Sequence, residues 1–201
     1  MPDAGGPTPY ARGLTLYARS RHVPASLAVV VIGAVAVWVL ARIGGGSPGD
    51  SRLSALVLVA GATAVASGLG GQDLALDRTA AIRWMPRRAA HVLLGGVLIG
   101  AVLLAVQAVS GQQTAPAFVV RDSAGLMGLV ALGAAWCGRQ YAWTLPFAWL
   151  SFALVVPPAP DAATQVLTWM LLPSGTAAGT WTAVVLAVVG TAVYAVGGPR
   201  R

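Results

Sequence analysis

Few residues in this chain could carry out nucleophilic or metal chemistry. It has one cysteine, Cys137, and two histidines, His22 and His91. A disulfide needs two cysteines and a closed zinc site needs four ligands, so neither is predicted. Ser67 and His91 fall at the same side of two apolar runs and could form a dyad. However, nothing orients the histidine and no GxSxG turn presents the serine, so Ser67 is better interpreted as a small residue at a helix contact. No catalytic residue and no metal site is predicted.

The charged residues exclude further enzyme classes. All 13 basic residues are Arg and all 6 acidic residues are Asp, so Lys and Glu are absent. A Walker A phosphate loop requires its Lys, and ATP hydrolysis usually recruits a Glu beside the Walker B Asp. Schiff-base chemistry requires Lys, and HExxH zinc chemistry requires Glu. The chain is therefore not expected to hydrolyse nucleotide, to be an enzyme or to bind a cofactor by itself.

The overall composition is that of a membrane protein. Hydrophobic residues make up 57% of the 201 residues, charged residues make up 9%, and the mean hydropathy is +0.74. Soluble domains contain roughly 25% charged residues. The pI of 11.1 would indicate nucleic-acid binding in a soluble protein, but here the Arg residues lie between apolar runs, where they orient spans and contact lipid phosphates. No nucleic-acid partner is expected.

The apolar runs predict one all-α integral membrane domain over residues 1–201. A helix needs roughly 20 apolar residues to cross the hydrocarbon core. Six runs are candidates, of which the fourth and fifth are short. They lie at about residues 24–41, 53–69, 90–109, 123–137, 143–156 and 177–196.

The Arg distribution predicts the orientation of these six spans. Cytoplasmic segments carry an excess of Arg and Lys. Six spans place ten of the 13 Arg residues on one side, which predicts cytoplasmic termini in a bacterial plasma membrane. No cleavable signal peptide is evident, because the first apolar run has the length of a span. The ten are Arg12, Arg19, Arg21, Arg78, Arg83, Arg87, Arg88, Arg139, Arg200 and Arg201.

Residues 7–23 mix Tyr and Leu with Arg, which is typical of a helix lying in the headgroup layer. We interpret this segment as an N-terminal interfacial helix. The alternative is an ordinary basic flank that only orients the first span.

Residues 71–91 are the most polar stretch, and they predict a cytoplasmic coupling helix between spans two and three. Pro86 is expected to end this helix before the third span. Because the segment is longer than a hairpin requires, we interpret it as a docking element for a cytoplasmic partner. The alternative is an amphipathic helix that rests on lipid. The residues expected to couple to the partner are Asp73, which also caps the helix, Leu74, Leu76, Asp77, Arg78, Ile82, Arg83 and Trp84.

Residues 157–176 are too apolar for a free loop and too short to span twice. Their prolines prevent one continuous helix, which predicts short re-entrant helices in the outer leaflet, covered by protein. Trp169 at the centre of this segment is expected to close the outer end of a path.

Polar residues near the outer ends of spans are candidates for the substrate path. Arg121 and Asp122 form an adjacent pair at the start of the fourth run, and charges in a span are functional candidates. Snorkelling of Arg121 to headgroups explains it equally well. Gln107 completes the candidate set. Gly residues at 96, 100, 125, 128 and 133 permit close helix approach.

Two stretches resemble a known family. LDRTAAIRWMPRRAAHVLL (76–94) and VVRDSAGLMGLVALGAAWCGRQYAWTLPFAW (119–149) resemble small actinobacterial membrane proteins encoded beside an ABC-type ATPase. Asp122 stands where the family pattern has Asn. The first motif matches at Asp77, Arg78, Thr79, Arg83, Arg87, Arg88 and His91. The second matches at Arg121, Gly125, Gly128, Gly138, Ala142, Trp143 and Pro146.

This resemblance implies the permease subunit of an ABC transporter of the ABC-2 exporter type. It implies two ATPase partners that bind ATP and Mg²⁺, and pairing of the permease with itself or a similar subunit. A path lined by Ala, Val, Leu, Gly and Trp favours an amphipathic, lipid-like or peptide cargo. The alternative function is a membrane immunity or sensor subunit that docks a cytoplasmic partner. An intramembrane enzyme is a third, disfavoured by the missing Lys and Glu.

Overall fold

A computed structural model describes residues 31–33, 35, 39, 51–66, 84–110, 115–157 and 159–200. These residues contain helices and no strand. Single 3₁₀ turns lie at Arg139–Tyr141 and Trp169–Leu171. The helices that we number are α1 (Ser51–Ala66), α2 (Trp84–Ser110), α3 (Pro116–Trp136), α4 (Thr144–Val155), α5 (Ala162–Leu167) and α6 (Ala177–Gly197).

Three described helices are long and apolar enough to cross a membrane. These are Met85–Ala108 within α2, together with α3 and α6. The expected all-helical membrane character is therefore confirmed, but six spans are not. The fifth predicted run forms α4, whose 12 residues extend only about 18 Å, well short of a hydrocarbon core of roughly 30 Å. The second predicted run forms α1, which has 16 residues.

Helix α3 is the centre of the bundle. In its apolar stretch 78% of the residues are buried, against 33% in α2 and 28% in α6. It packs against α1, α2, α4 and α6, and the apolar core lies around it. Since the other long helices keep apolar side chains such as Leu94, Val97 and Val188 exposed, their outer faces suit contact with lipid tails.

The chain turns back sharply at the end of α3. Gly138 has φ = 94°, in the left-handed region that a residue with a Cβ rarely adopts. Beyond α6, the backbone N–H of Arg200 donates a hydrogen bond to the carbonyl of Ala134 at 3.1 Å. The C-terminal ends of α3 and α6 therefore lie together, and the two helices run parallel.

The start of α2 corrects one prediction. Pro86 was expected to end a helix, but α2 begins at Trp84 and continues through it to Ser110. The first residues of a helix have no intrahelical use for their N–H groups, so Pro costs little in the first turn. The last eight residues of the predicted coupling segment 71–91 thus belong to the long helix α2.

The start of α3 corrects a second prediction. The fourth run was expected to begin at residue 123, with Arg121 and Asp122 at its edge. The helix begins at Pro116 instead, so that both charges lie inside it, one turn or more from its start. The predicted interfacial helix 7–23, most of the first run and residues 71–83 lie outside the described residues.

Asp161 caps α5. Its carboxylate accepts a hydrogen bond from the backbone N–H of Thr164 at 2.9 Å, which satisfies a donor at the helix start. Hydrogen bonds from the backbone and the side chain of Thr164 lower the pKa of the exposed Asp161 carboxyl below its usual 3.8. The charged form is thus the one that the folded state favours.

We expect this cap to depend on pH. Because the native pKa is the lower one, the stabilisation is complete above pH 3.8 and is lost as the pH falls through the native pKa. Replacing Asp161 by Ala should lower the hydrogen-exchange protection of the Thr164 amide at neutral pH and have little effect in acid. Asp161→Asn, which keeps the cap without the charge, should show no such pH dependence; if it does, another group titrates.

Candidate functional site

The candidate site is a buried ion pair in the first half of α3. Nε of Arg121 donates to Oδ1 of Asp122 at 2.7 Å, and the two side chains are 6% and 0% exposed. Removing two charges from water costs several kcal/mol per ion unless both are well partnered. Arg121 is thus held by protein groups, and snorkelling to headgroups does not describe it.

The remaining nitrogens of Arg121 bind one short segment of the chain. Nη1 donates to the carbonyl of Pro173 at 3.0 Å, and Nη2 donates to those of Trp169 at 3.2 Å and Leu172 at 2.8 Å. A guanidinium has five donors in a planar fork, which suits several carbonyls at once. We call Arg121, Asp122 and these three carbonyls the polar latch.

The local structure of the connection explains why the Leu172 carbonyl needs a donor. The 3₁₀ turn ends at Leu171, and Leu172 is extended. Carbonyls at the end of a helical turn have no partner within it. Arg121 caps this carbonyl from α3. It also adds a donor to the carbonyls of Trp169 and Pro173, which already accept the backbone N–H groups of Leu172 and Thr176. These contacts tie the connection between α4 and α6 to the central helix.

Two glycines make room for the latch. A Cβ at Gly125 would lie 2.6 Å from Cη2 of Trp169, and one at Gly179 would lie 2.9 Å from Nη1 of Arg121. Trp169 is fully buried against Gly125, and α6 approaches the guanidinium of Arg121 at Gly179. Because Gly125 has no side chain, the indole of Trp169 packs directly against the backbone of α3.

The latch leaves two buried polar atoms without a hydrogen-bond partner in the described part of the chain. They are Oδ2 of Asp122 and Nε1 of Trp169. Buried polar groups are almost always paired, and intramembrane charges are functional candidates. These unpaired atoms, beside a buried ion pair, make the site a functional candidate.

The structure brings together three of the four residues predicted for the substrate path. Arg121, Asp122 and Trp169 meet in the latch, and Gln107 is buried on α2. Of the predicted coupling residues, Trp84 is the first residue of α2. Ser67 of the considered dyad lies outside the described residues, as do Asp73, Leu74, Leu76, Asp77, Arg78, Ile82 and Arg83.

Sequence reasoning missed other contacts that hold the site. The guanidinium of Arg121 lies 5.1 Å from the ring centroid of Phe118, a cation–π distance. Nε1 of Trp149 on α4 donates to the carbonyl of Leu167 at 2.9 Å, which holds the end of α5. The spacing of Phe118 and Arg121, three residues apart on one helix, was the only signal available in the sequence.

The arrangement holds one segment of the chain against α3. Its groups are a guanidinium, a carboxylate, carbonyls and an indole, and none of them is a nucleophile activated by a base. Breaking the latch would free the connection that leads into α6. No family model, no curated protein and no solved structure matches this chain.

Proposed function

We propose that this chain is the membrane-spanning permease subunit of an ATP-driven ABC transporter of the ABC-2 exporter type. The observation that carries the proposal is the polar latch, which holds short helical turns between α4 and α6 against the central helix. The resemblance described above implies short re-entrant outer helices at this place in the chain. In this proposal the chain has six spans and residues 157–176 form that re-entrant segment.

The proposed path closes at the latch. Trp169 is fully buried on α3, and the carbonyls around it are held by Arg121. In this proposal Trp169 is the bulky apolar group that closes the gate, and the contacts of Arg121 keep it in place. Arg121, Asp122, Trp169 and Gln107 would line the outer part of a path for an amphipathic, lipid-like or peptide cargo.

Residues 71–91 would be the coupling segment for the ATPases. Its end runs without interruption into α2, a helix of 27 residues that packs on α3 and α6. A packed helix moves as a rigid rod, so a push at Trp84 would reach the bundle. ATP and Mg²⁺ would bind to the partner subunits only. The permease would pair with itself or a similar subunit, in a bacterial plasma membrane with both termini cytoplasmic.

The ATPase partnership can be tested by co-purification. We expect the quadruple variant Leu76→Ala, Trp84→Ala, Asp77→Arg and Arg78→Asp to lose most of the ATPase encoded in the neighbouring reading frame, because apolar anchors and charge complementarity are removed together. The variant should still insert into membranes. Arg139→Ala, an exposed change outside the segment, is the control and should retain the ATPase.

Two results would contradict this proposal. One is a full complement of ATPase with the quadruple variant, which would remove the coupling role of residues 71–91. The other is a neighbouring reading frame without Walker motifs, together with a partner that hydrolyses no ATP. That second result would favour an immunity or sensor subunit.

A further inference from the structure

A groove runs along the lipid-facing side of the bundle between α2, α3 and α6. Its volume is about 350 Å³, within the range of small-molecule sites. Glycines on α2 and alanines on α3 and α6 keep it open between larger side chains. It follows α2 from Val92 to Leu104 and is bordered on α3 by Val120 and Ser123.

The groove is lined mainly by apolar side chains, and its two lining hydroxyls belong to Ser123 and Thr191. Leu93, Val97 and Val120 form its walls and are 60%, 67% and 61% exposed. The hydroxyl of Ser123 donates to the carbonyl of Val120 at 3.1 Å, so that this lining hydroxyl is already used within α3. The occupant of this groove must therefore present hydrocarbon.

The dimensions match one acyl chain. From Val92 to Leu104 the groove follows α2 for about 18 Å, close to the roughly 15 Å of one leaflet's hydrocarbon. A groove of this length and volume suits one extended hydrocarbon chain, whereas an α-helix is about 10 Å across and could insert only side chains.

A positively charged site lies where the groove begins. Arg87 and Arg88 precede Val92 by about one turn, and a Cβ added at Gly198 would lie 2.8 Å from Nη1 of Arg88. Arg88 thus lies at the α2–α6 interface that the groove continues. Both described carboxylates, Asp122 and Asp161, lie toward the opposite ends of α3 and α6.

We propose that this groove binds an anionic phospholipid, with one acyl chain between α2, α3 and α6 and the phosphate at Arg88. Charge complementarity selects the headgroup, because a guanidinium pairs with phosphate through two parallel hydrogen bonds. The apolar groove selects the acyl chain of the lipid. The proposal needs only the membrane character of the protein and does not depend on its role as a transporter.

Native mass spectrometry of the full chain from mixed micelles tests this proposal, with phosphatidylglycerol and phosphatidylcholine of identical chains as probes. We expect phosphatidylglycerol to be retained preferentially. Ala101→Phe, which fills the groove from its exposed side, and Arg88→Gln should each weaken its binding about tenfold. Arg88→Lys, which keeps the charge, should bind more tightly than Arg88→Gln.

The controls share the chemistry of the variants but not their position. Ala105→Phe lies on α2 outside the groove, and Arg139→Gln removes an exposed charge beyond α3. Both should bind phosphatidylglycerol as the wild type does. Equal retention of the two lipids would overturn the proposal, and so would equal effects of variants and controls. If another segment of the chain fills the groove, neither lipid will bind. If a second copy of the chain fills it, the protein will be a dimer that Ala101→Phe dissociates. Either result overturns the proposal as well.

Discussion

Replacing Gly128 by Val should break the packing of α3 against α6. A Cβ at Gly128 would overlap the carbonyl oxygen of Leu186 and lie 2.6 Å from Cα of Ala187. Gly190 meets Gly128 in the same way from the other helix, since its Cβ would lie 2.8 Å from the Cα of Gly128. Overpacking usually costs 1–3 kcal/mol, but here the obstacle is backbone, so we expect about 3 kcal/mol or more. The measurement is the melting temperature in detergent, from size-exclusion profiles after heating.

Gly197→Ala is the matched control on the same helix pair. Its Cβ would have nothing within 4 Å, and Ala favours a helix over Gly by about 1 kcal/mol. This variant should melt at the wild-type temperature or slightly above it. If Gly128→Val and Gly190→Val melted with the wild type too, the close parallel contact of α3 and α6 would be wrong.

Replacing Arg121 by Met should release the connection between α4 and α6. The change leaves the Asp122 carboxylate buried without its cation and removes one donor from each of the carbonyls of residues 169, 172 and 173. Breaking a buried ion pair from one side costs about 3–5 kcal/mol. The double variant Arg121→Met, Asp122→Asn should recover part of this loss, because the lone buried charge is gone. Thermal unfolding of the variants measures both effects.

A cysteine probe distinguishes local release from global unfolding. In a Cys137→Ser background, Met170→Cys should resist a thiol reagent while Arg121 is present, because Met170 is fully buried. In the Arg121→Met variant it should react, while a cysteine at the equally buried Leu126 on α3 should not. Reaction at neither position would refute the latch, and reaction at both would mean that the bundle has unfolded.

The sequence predicted the long helices because hydropathy is a local property. The runs at 90–109 and 177–196 correspond to α2 and α6, with ends that differ by six residues or fewer. Where an end was wrong, charge or proline misled the prediction. Pro86 looked like a helix end, but a proline in the first turn fits a helix start equally well.

The buried state of Arg121 could not be read from its neighbours. A hydropathy average along the sequence falls at Arg121 and Asp122, so that these two charged residues are interpreted as the edge of a span. The groups that offset their burial are carbonyls 48 to 52 residues further along the chain. Only folding brings those carbonyls to Arg121, which lies in the helix Pro116–Trp136 at the centre of the core.

By itself, the sequence determined that this chain is helical and apolar, and that it lacks the Lys and Glu on which nucleotide hydrolysis depends. It also identified Trp169, Arg121 and Asp122 as residues of interest, because charges and prolines are conspicuous among apolar residues. The tertiary structure alone decided that these residues meet, and that Gly128 faces Gly190. Composition and periodicity act over a few residues, whereas these contacts depend on which helix faces of a folded bundle touch.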